Sequence, residues 1–232
     1  MIFDSAYGRG DYDYLYKNYL GSGHDRLARA VQEEGRTNPT SQAIDLCAGT
    51  GAMTEVLVRL RIPQVIAVDK SAAMLDKVRH KIQPYEYLFS QVSCWTLDLD
   101  KPGAFDAIRR ALPEGKVGLI TCRQGIGYLR RSTLLRIPRL LTPGGVFMCN
   151  SFIEPSNLRP WWHRHKGGIH EAGVYVGKRV FHFQFRWPRF DFTHFKWHDL
   201  EGDIAPEWLK EGFAVAISRH KHTLIATVRR IQ

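Results

Sequence analysis

Gln42-Ala-Ile-Asp45-Leu46-Cys47-Ala48-Gly49-Thr50-Gly51 is a short apolar run that ends in an acid and then breaks into alternate glycines. The run Gln42 to Leu46 reads as a β-strand. AMTEVLVRLRI (52–62) reads as a helix stopped by Pro63. Glycines at 49 and 51 let backbone approach a ligand closely at the open carboxyl edge of a sheet. The next strand, QVIAVD (64–69), also ends in an acid, Asp69, 18 residues after Gly51. A carboxylate at that place can accept two hydrogen bonds from a ribose diol, each worth roughly 1.5–3 kcal/mol when desolvated. The two turns together point to a nucleoside lying across strands one and two.

A dinucleotide fold shares that geometry. Its fingerprint places a close-packing Gly or Ala third, and here the third place is Thr54. The first strand also ends in a carboxylate, which would repel a pyrophosphate. It suits a ligand that carries an ammonium group. The dinucleotide reading is therefore the weaker one.

The alternation extends outward in both directions. HDRLARAVQEEG (24–35) reads as an amphipathic helix ended by Gly35. SAAMLDKVRHKI (71–82) is a helix with Ser71 at its N-cap position. LFSQVSCW (88–95), KVGLITC (116–122) and VFMCNSF (146–152) read as strands, the last after a TPGG turn. Residues 103–112 and STLLRIPRLL (132–141), with Pro138 inside it, read as helices. Strands separated by helices predict a parallel sheet with crossovers. APEWLKEGF (205–213) and the pair 214–219 and 222–230 predict a last helix and a closing antiparallel hairpin. Between residues 153 and 198 the pattern breaks. AGVYV and RVFHFQFRW flank a Gly-Lys turn, and Phe190 and Phe192 suggest a third strand with a bulge near Thr193-His194.

These segments resemble the class I S-adenosylmethionine-dependent methyltransferases. DLCAGTG looks like their first motif, with Cys47 in place of the first glycine, a change the backbone there is expected to tolerate. VIAVDKSAAML resembles the second motif, CWTLDLDKP the adenine-contacting third, and LITCRQGIGYL the strand lining the methionine end. LLTPGGVFMCNSF and EWLKEGFAVAISRHKHTLIATVRR resemble the turn into strand five and the reversed final hairpin. The resemblance implies a doubly wound, seven-stranded, mostly parallel α/β sheet with a reversed C-terminal strand and an antiparallel insert after strand five. It implies S-adenosylmethionine as cofactor. Asp45 would lie near the amino group, and Ala48, Gly49 and Gly51 would offer backbone. Asp69 would hold the ribose, Lys70 and Met74 would lie against the adenine, Asp98 and Leu99 at the purine edge, and Cys122 would present its backbone.

The acceptor side is read from two segments within one methyltransferase domain, 1–232. Five of the nine tyrosines, Tyr12 and Tyr16 among them, fall in the first 19 residues. In small-molecule members of the family such a stretch looks like a lid, here 1–23. The insert, 153–198, holds 11 aromatics and six histidines from residue 159 on, including Trp161 and Trp162. Arg123, Gln124 and Phe152 follow strands four and five and would complete the pocket. The sulfonium is already electrophilic, so alignment matters more than a base, and no catalytic residue is singled out.

Net charge is +10, from 33 basic and 23 acidic residues, and residues 159–197 alone carry +6. That invites a polyanion. Basic residues among aromatics also describe a nucleic-acid platform, but no appended RNA-binding domain or Asn-Pro catalytic motif is seen. The reading is N- or O-methylation of a small aromatic, heterocyclic or anionic metabolite. An RNA or tRNA methyltransferase comes second and a non-catalytic S-adenosylmethionine-binding protein third. Cys47, Cys94, Cys122 and Cys149 lack metal-ligand spacing, so no metal is expected and a reduced, cytoplasmic chain is. No 18-residue apolar window and no signal-peptide pattern at the start argue in the same direction. A homodimer is the expectation should the insert pack away from the pocket.

Overall fold

The computed structural model describes residues 21–88, 91–152, 170–176, 179–185, 198–220 and 223–231. Its helices are α1 (Gly21–Thr37), α2 (Ala52–Arg59), α3 (Ala72–Ile82), α4 (Ala104–Ala111), α5 (Arg131–Arg136) and α6 (Ala205–Lys210). Its strands are β1 (Gln42–Leu46), β2 (Gln64–Asp69), β3 (Gln91–Thr96), β4 (Val117–Arg123), β5 (Leu141–Phe152), β6 (His170–Val176), β7 (Arg179–Phe185), β8 (Phe213–His220) and β9 (Thr223–Arg230). Seven strands form one sheet in the order β3-β2-β1-β4-β5-β9-β8. The first five run parallel; β9 is antiparallel to β5 and to β8. β6 and β7 form the expected antiparallel hairpin as a separate two-stranded sheet. The expected third insert strand with its bulge lies outside the described residues.

The chain reverses its strand order at β1. β2 pairs on one side of it and β4 on the other, which opens a crevice at the carboxyl ends. β1 is buried along its whole length, so its residues alternate between two apolar layers. Ile44 and Leu46 face the layer holding Phe105, Ile108, Leu134 and Trp208. Ala43 faces the layer holding Leu27 and Val31 of α1, Met53 and Leu57 of α2, and Leu75 and Val78 of α3. Asp45 shares the parity of Ala43 and therefore points a carboxylate toward α2.

Several boundaries differ from the sequence expectation: α1 begins at Gly21 rather than residue 24, α2 ends at Arg59 rather than residue 62 and α6 at Lys210 rather than residue 213. α1 runs through Gly35 to Thr37. A Cβ on Gly35 would sit 2.8 Å from Leu60 Cδ1, so this glycine permits close helix approach instead of ending the helix. β3 begins at Gln91 rather than residue 88, because Gln83–Leu88 forms a 3-10 segment. The expected helix over 132–141 stops at Arg136, and Pro138 sits in a following 3-10 turn, Ile137–Leu140. The TPGG turn is carried within β5: Leu141 pairs with Val117 and Val146 with Leu119, and the intervening residues bulge outward.

The returning C-terminal segment is tied to the sheet in two ways. Trp208 packs edge-on against Phe147 with ring centroids 6.0 Å apart. Arg131 grips the Asp203 carboxylate with Nε and Nη2 at 2.9 and 2.8 Å, and Arg139 grips Glu211 in the same bidentate manner.

Candidate active site

The turn after β1 is built from three left-handed residues in alternation: Cys47 (φ 53°), Gly49 (φ 54°) and Gly51 (φ 81°). The two glycines do different work. A Cβ on Gly49 would meet nothing closer than the Cys47 carbonyl at 4.0 Å, so space stands open above it. A Cβ on Gly51 would come within 3.0–3.2 Å of Val78, so Gly51 seats the turn against α3. The backbone position of Cys47 was expected to tolerate the replacement of glycine. The position accepts it in a left-handed conformation that costs a side-chain-bearing residue about 1–2 kcal/mol.

Asp69 ends β2 beside this turn. Its Oδ2 accepts from the Gly49 N–H and its Oδ1 from the Ser71 N–H, both at 2.9 Å. The second acid thus clamps the first turn, while each oxygen keeps lone-pair capacity for a ligand diol. Burial raises the Asp69 pKa against the pull of these N–H groups and of the Lys70 charge. Ser71 caps α3 as expected, accepting from the Met74 N–H at 3.3 Å. Met74 is 5% exposed yet belongs to neither apolar layer, a placement that suits the wall of a slot. Lys70 is exposed beside it.

Asp45 is more enclosed than the sequence suggests. It is 1% exposed, and its Oδ2 accepts from Thr54 Oγ1 at 2.7 Å while Oδ1 accepts from Thr121 Oγ1 at 3.0 Å. Burial pushes its pKa up from the usual 3.8 to about 6, opposed by both threonine hydroxyls and by the Arg123 charge. Thr54, the residue that spoils a dinucleotide fingerprint, is thus the partner of this acid. Sequence reading missed it, and missed Thr121; the available signal was a threonine one helical turn into α2 behind a strand acid.

On the third loop, Asp98 Oδ1 accepts from the Asp100 N–H at 3.0 Å and shapes its own turn. Leu99 is 5% exposed and packs in the layer with Phe105, so only its main chain is left for a purine. Cys122 is wholly buried at the end of β4 and hydrogen-bonds with the Cys47 thiol, which together with burial drives the Cys47 pKa well up. The Cys122 pKa is raised as well, so both thiols are held in their neutral form where the two loops pack.

Across the crevice, Arg123 closes β4, half-buried, and Gln124 follows in a left-handed conformation (φ 55°). Gly125 comes next, where a Cβ would lie 2.2 Å from Cys47 Cβ. The strand-four loop is therefore pressed directly onto the glycine-rich turn. Phe152 closes β5 opposite Thr223. Tyr12, Tyr16, Trp161 and Trp162 lie outside the described residues.

The sequence model of the family described as methyltransferase domain matches residues 16–215. The chain belongs to this methyltransferase family. An uncharacterized methyltransferase of Schizosaccharomyces pombe (strain 972 / ATCC 24843) is 27% identical over 137 residues, 59% of this chain and 48% of that protein. The chain thus matches about half the length of the yeast methyltransferase. An S-adenosylmethionine-dependent methyltransferase from Clostridium acetobutylicum has a similar structure, with TM-score 0.64 and 14% identity over 96% of this chain and 98% of that one. An O-methyltransferase family protein from Burkholderia thailandensis gives TM-score 0.63 and 17% identity, covering 99% of this chain and 59% of that one. Both structural likenesses speak for the methyltransferase fold. Among the described residues no helix is long and apolar enough to cross a membrane.

Proposed function

We propose that this methyltransferase moves a methyl group from S-adenosylmethionine to a nitrogen or oxygen of a small aromatic, heterocyclic or anionic metabolite. The observation that carries the cofactor assignment is the Asp69 carboxylate, aimed by the Gly49 and Ser71 N–H groups beside the open face of Gly49. Bound S-adenosylmethionine supplies an electrophilic methyl group. The chain's part is to bind and align. Asp69 takes the ribose hydroxyls, with Met74 and Lys70 along the adenine slot and the Asp98–Leu99 main chain at its end. Ala48, Gly49 and Gly51 offer backbone to the methionine part, and Asp45 sets a negative field beneath that turn for its ammonium. Cys122 lines the same end with main chain.

The acceptor then faces the carboxyl end of β4. Arg123 is the cation there, near enough to Asp45 to lower its pKa, and it suits an acceptor that carries a carboxylate or phosphate. Holding the reacting atoms in line can supply ~7–11 kcal/mol of barrier lowering, so a base is required only where the acceptor brings a proton to lose. Tyr12 and Tyr16 of the lid, residues 1–23, and Trp161, Trp162 and Phe152 of the insert side are read as the pocket's remaining walls. The test is direct. The protein is incubated with labelled S-adenosylmethionine and a fractionated metabolite extract, and labelled product is identified by mass. Label found in RNA alone would defeat the small-molecule reading. The charge of +6 on residues 159–197 is what favours that second outcome.

A further inference from the structure

Asn150 lies on β5, level with Arg123 of β4 on one side and Ile225 of β9 on the other. It is wholly buried. Its Oδ1 accepts from the backbone N–H of Gln124 at 2.8 Å. That orients the amide, since turning it over would set two donors against each other. Its Nδ2 then meets no acceptor among the described residues. A buried amide with an unpaired donor is a poor stability device, because the lost hydration outweighs what one bond returns. An apolar residue of similar volume would pack there at less cost. The side chain's presence is explained by what its oxygen holds.

What it holds is a strained peptide. Gln124 has φ 55°, a region that favours glycine. Gly125, the next residue, packs its Cα so near the glycine-rich turn that a Cβ would fall 2.2 Å from Cys47 Cβ and 2.9 Å from Cys47 Sγ. Cys47 is itself left-handed, at φ 53°. A strained non-glycine residue therefore stands on each side of the place where the cofactor turn and the strand-four loop touch, Cys47 on one and Gln124, next to Gly125, on the other. Strain of this kind persists only where surrounding structure enforces it. On the β1 side that structure is the turn clamped by Asp69. On the β4 side the Gln124 backbone N–H is held by Asn150.

We propose that Asn150 is a positioning residue for methyl transfer: through the Gln124 peptide it fixes residues 123–125, the wall that sets the acceptor against the methyl group. Asn150 touches neither reactant and acts through the loop it locks. The inference rests on methyl transfer at this edge, not on the identity of the acceptor.

The experiment compares wild type with Asn150→Leu, which removes the oxygen, and Asn150→Asp, which keeps it. Amide hydrogen exchange at Gln124 and Gly125, S-adenosylhomocysteine affinity by calorimetry, and kcat and KM for the acceptor are measured. In Asn150→Leu the Gln124 amide loses protection and kcat falls on the order of 100-fold, the cost of a misplacement near 1 Å, while cofactor affinity and KM change little. Asn150→Asp restores amide protection and recovers kcat to within about tenfold of wild type. A Leu variant with wild-type kcat and a protected Gln124 amide overturns the proposal. So does an Asp variant as slow as Leu. Should Asn150→Leu fail to fold, Asn150→Ser, whose shorter side chain cannot reach Gln124, is read by the same criteria. A wild type that methylates RNA alone defeats the small-molecule reading, and the same comparison run on RNA then decides this one.

Discussion

Replacing Asp45 by Asn should stabilise the protein at neutral pH and impair cofactor binding. The carboxylate is 1% exposed, and its pKa stands near 6 against 3.8 for a free group. The folded chain therefore prefers the protonated acid. Stability from this group is fully present below about pH 4 and is lost as pH rises toward 6, because the unfolded state gives up its proton first. The shift of roughly two units sets a ceiling of about 3 kcal/mol on the cost of keeping the ion buried at pH 8. An asparagine escapes that cost without orphaning its neighbours. Its oxygen can take the Thr54 donors and its amide can donate to Thr121 Oγ1, whose own hydrogen can turn to the Ile44 carbonyl, 3.5 Å away. Asp45→Asn should then raise the melting temperature at pH 8, by up to about 6–12 °C for a domain of this size, and by almost nothing at pH 4. Calorimetric melts of both proteins across that range measure the difference. A ligand ammonium should meanwhile pull the carboxylate back to its ionised form. S-adenosylhomocysteine affinity should thus rise through pH 6 in wild type and stay flat in the variant. A variant no more stable than wild type at pH 8, or a difference that does not change with pH, would refute the reasoning.

Asp69→Ala should weaken S-adenosylhomocysteine binding at least about tenfold, since both ribose hydrogen bonds go; equal calorimetric affinity would remove Asp69 from the site. Gly125→Ala should destabilise by about 1–3 kcal/mol through its clash with Cys47, and Cys47→Gly in the same chain should return much of that loss. Additive effects in that double-mutant cycle would mean the two loops do not bear on each other. RNA binding near physiological salt should be weak and non-specific. Tight binding that falls steeply with added salt and is lost on Arg186→Ala with Arg189→Ala would instead promote RNA as the acceptor.

Much of this protein was legible from residues in order, because local rules acted within reach of neighbours. Apolar runs between glycine turns marked β1, β2 and β4 to within a residue or two. Ser71 announced the start of α3 through its own hydroxyl, and the alternating runs on either side of the Gly-Lys pair marked β6 and β7. Asp69 was readable as the acid beside the glycine turn because strand end, glycine turn and acid lie close in sequence. The tertiary structure decided what depends on distant contacts. Nothing near Asp45 in sequence tells that Thr121, 76 residues on, closes its second oxygen, or that burial lifts its pKa. Gly35 reads as a helix stop until Leu60 is seen against it. The TPGG turn reads as an end until β4 is seen pairing on both sides of it. Cys47 reads as a harmless replacement until its φ is known and Gly125 is found packed on it, 78 residues away. Asn150 reads as one more polar residue in a strand until its oxygen is found on the Gln124 peptide, 26 residues back. Periodicity and turn chemistry are properties of a chain segment and survive in sequence. Burial, strain and hydrogen-bond pairing belong to surfaces that meet only when the sheet closes.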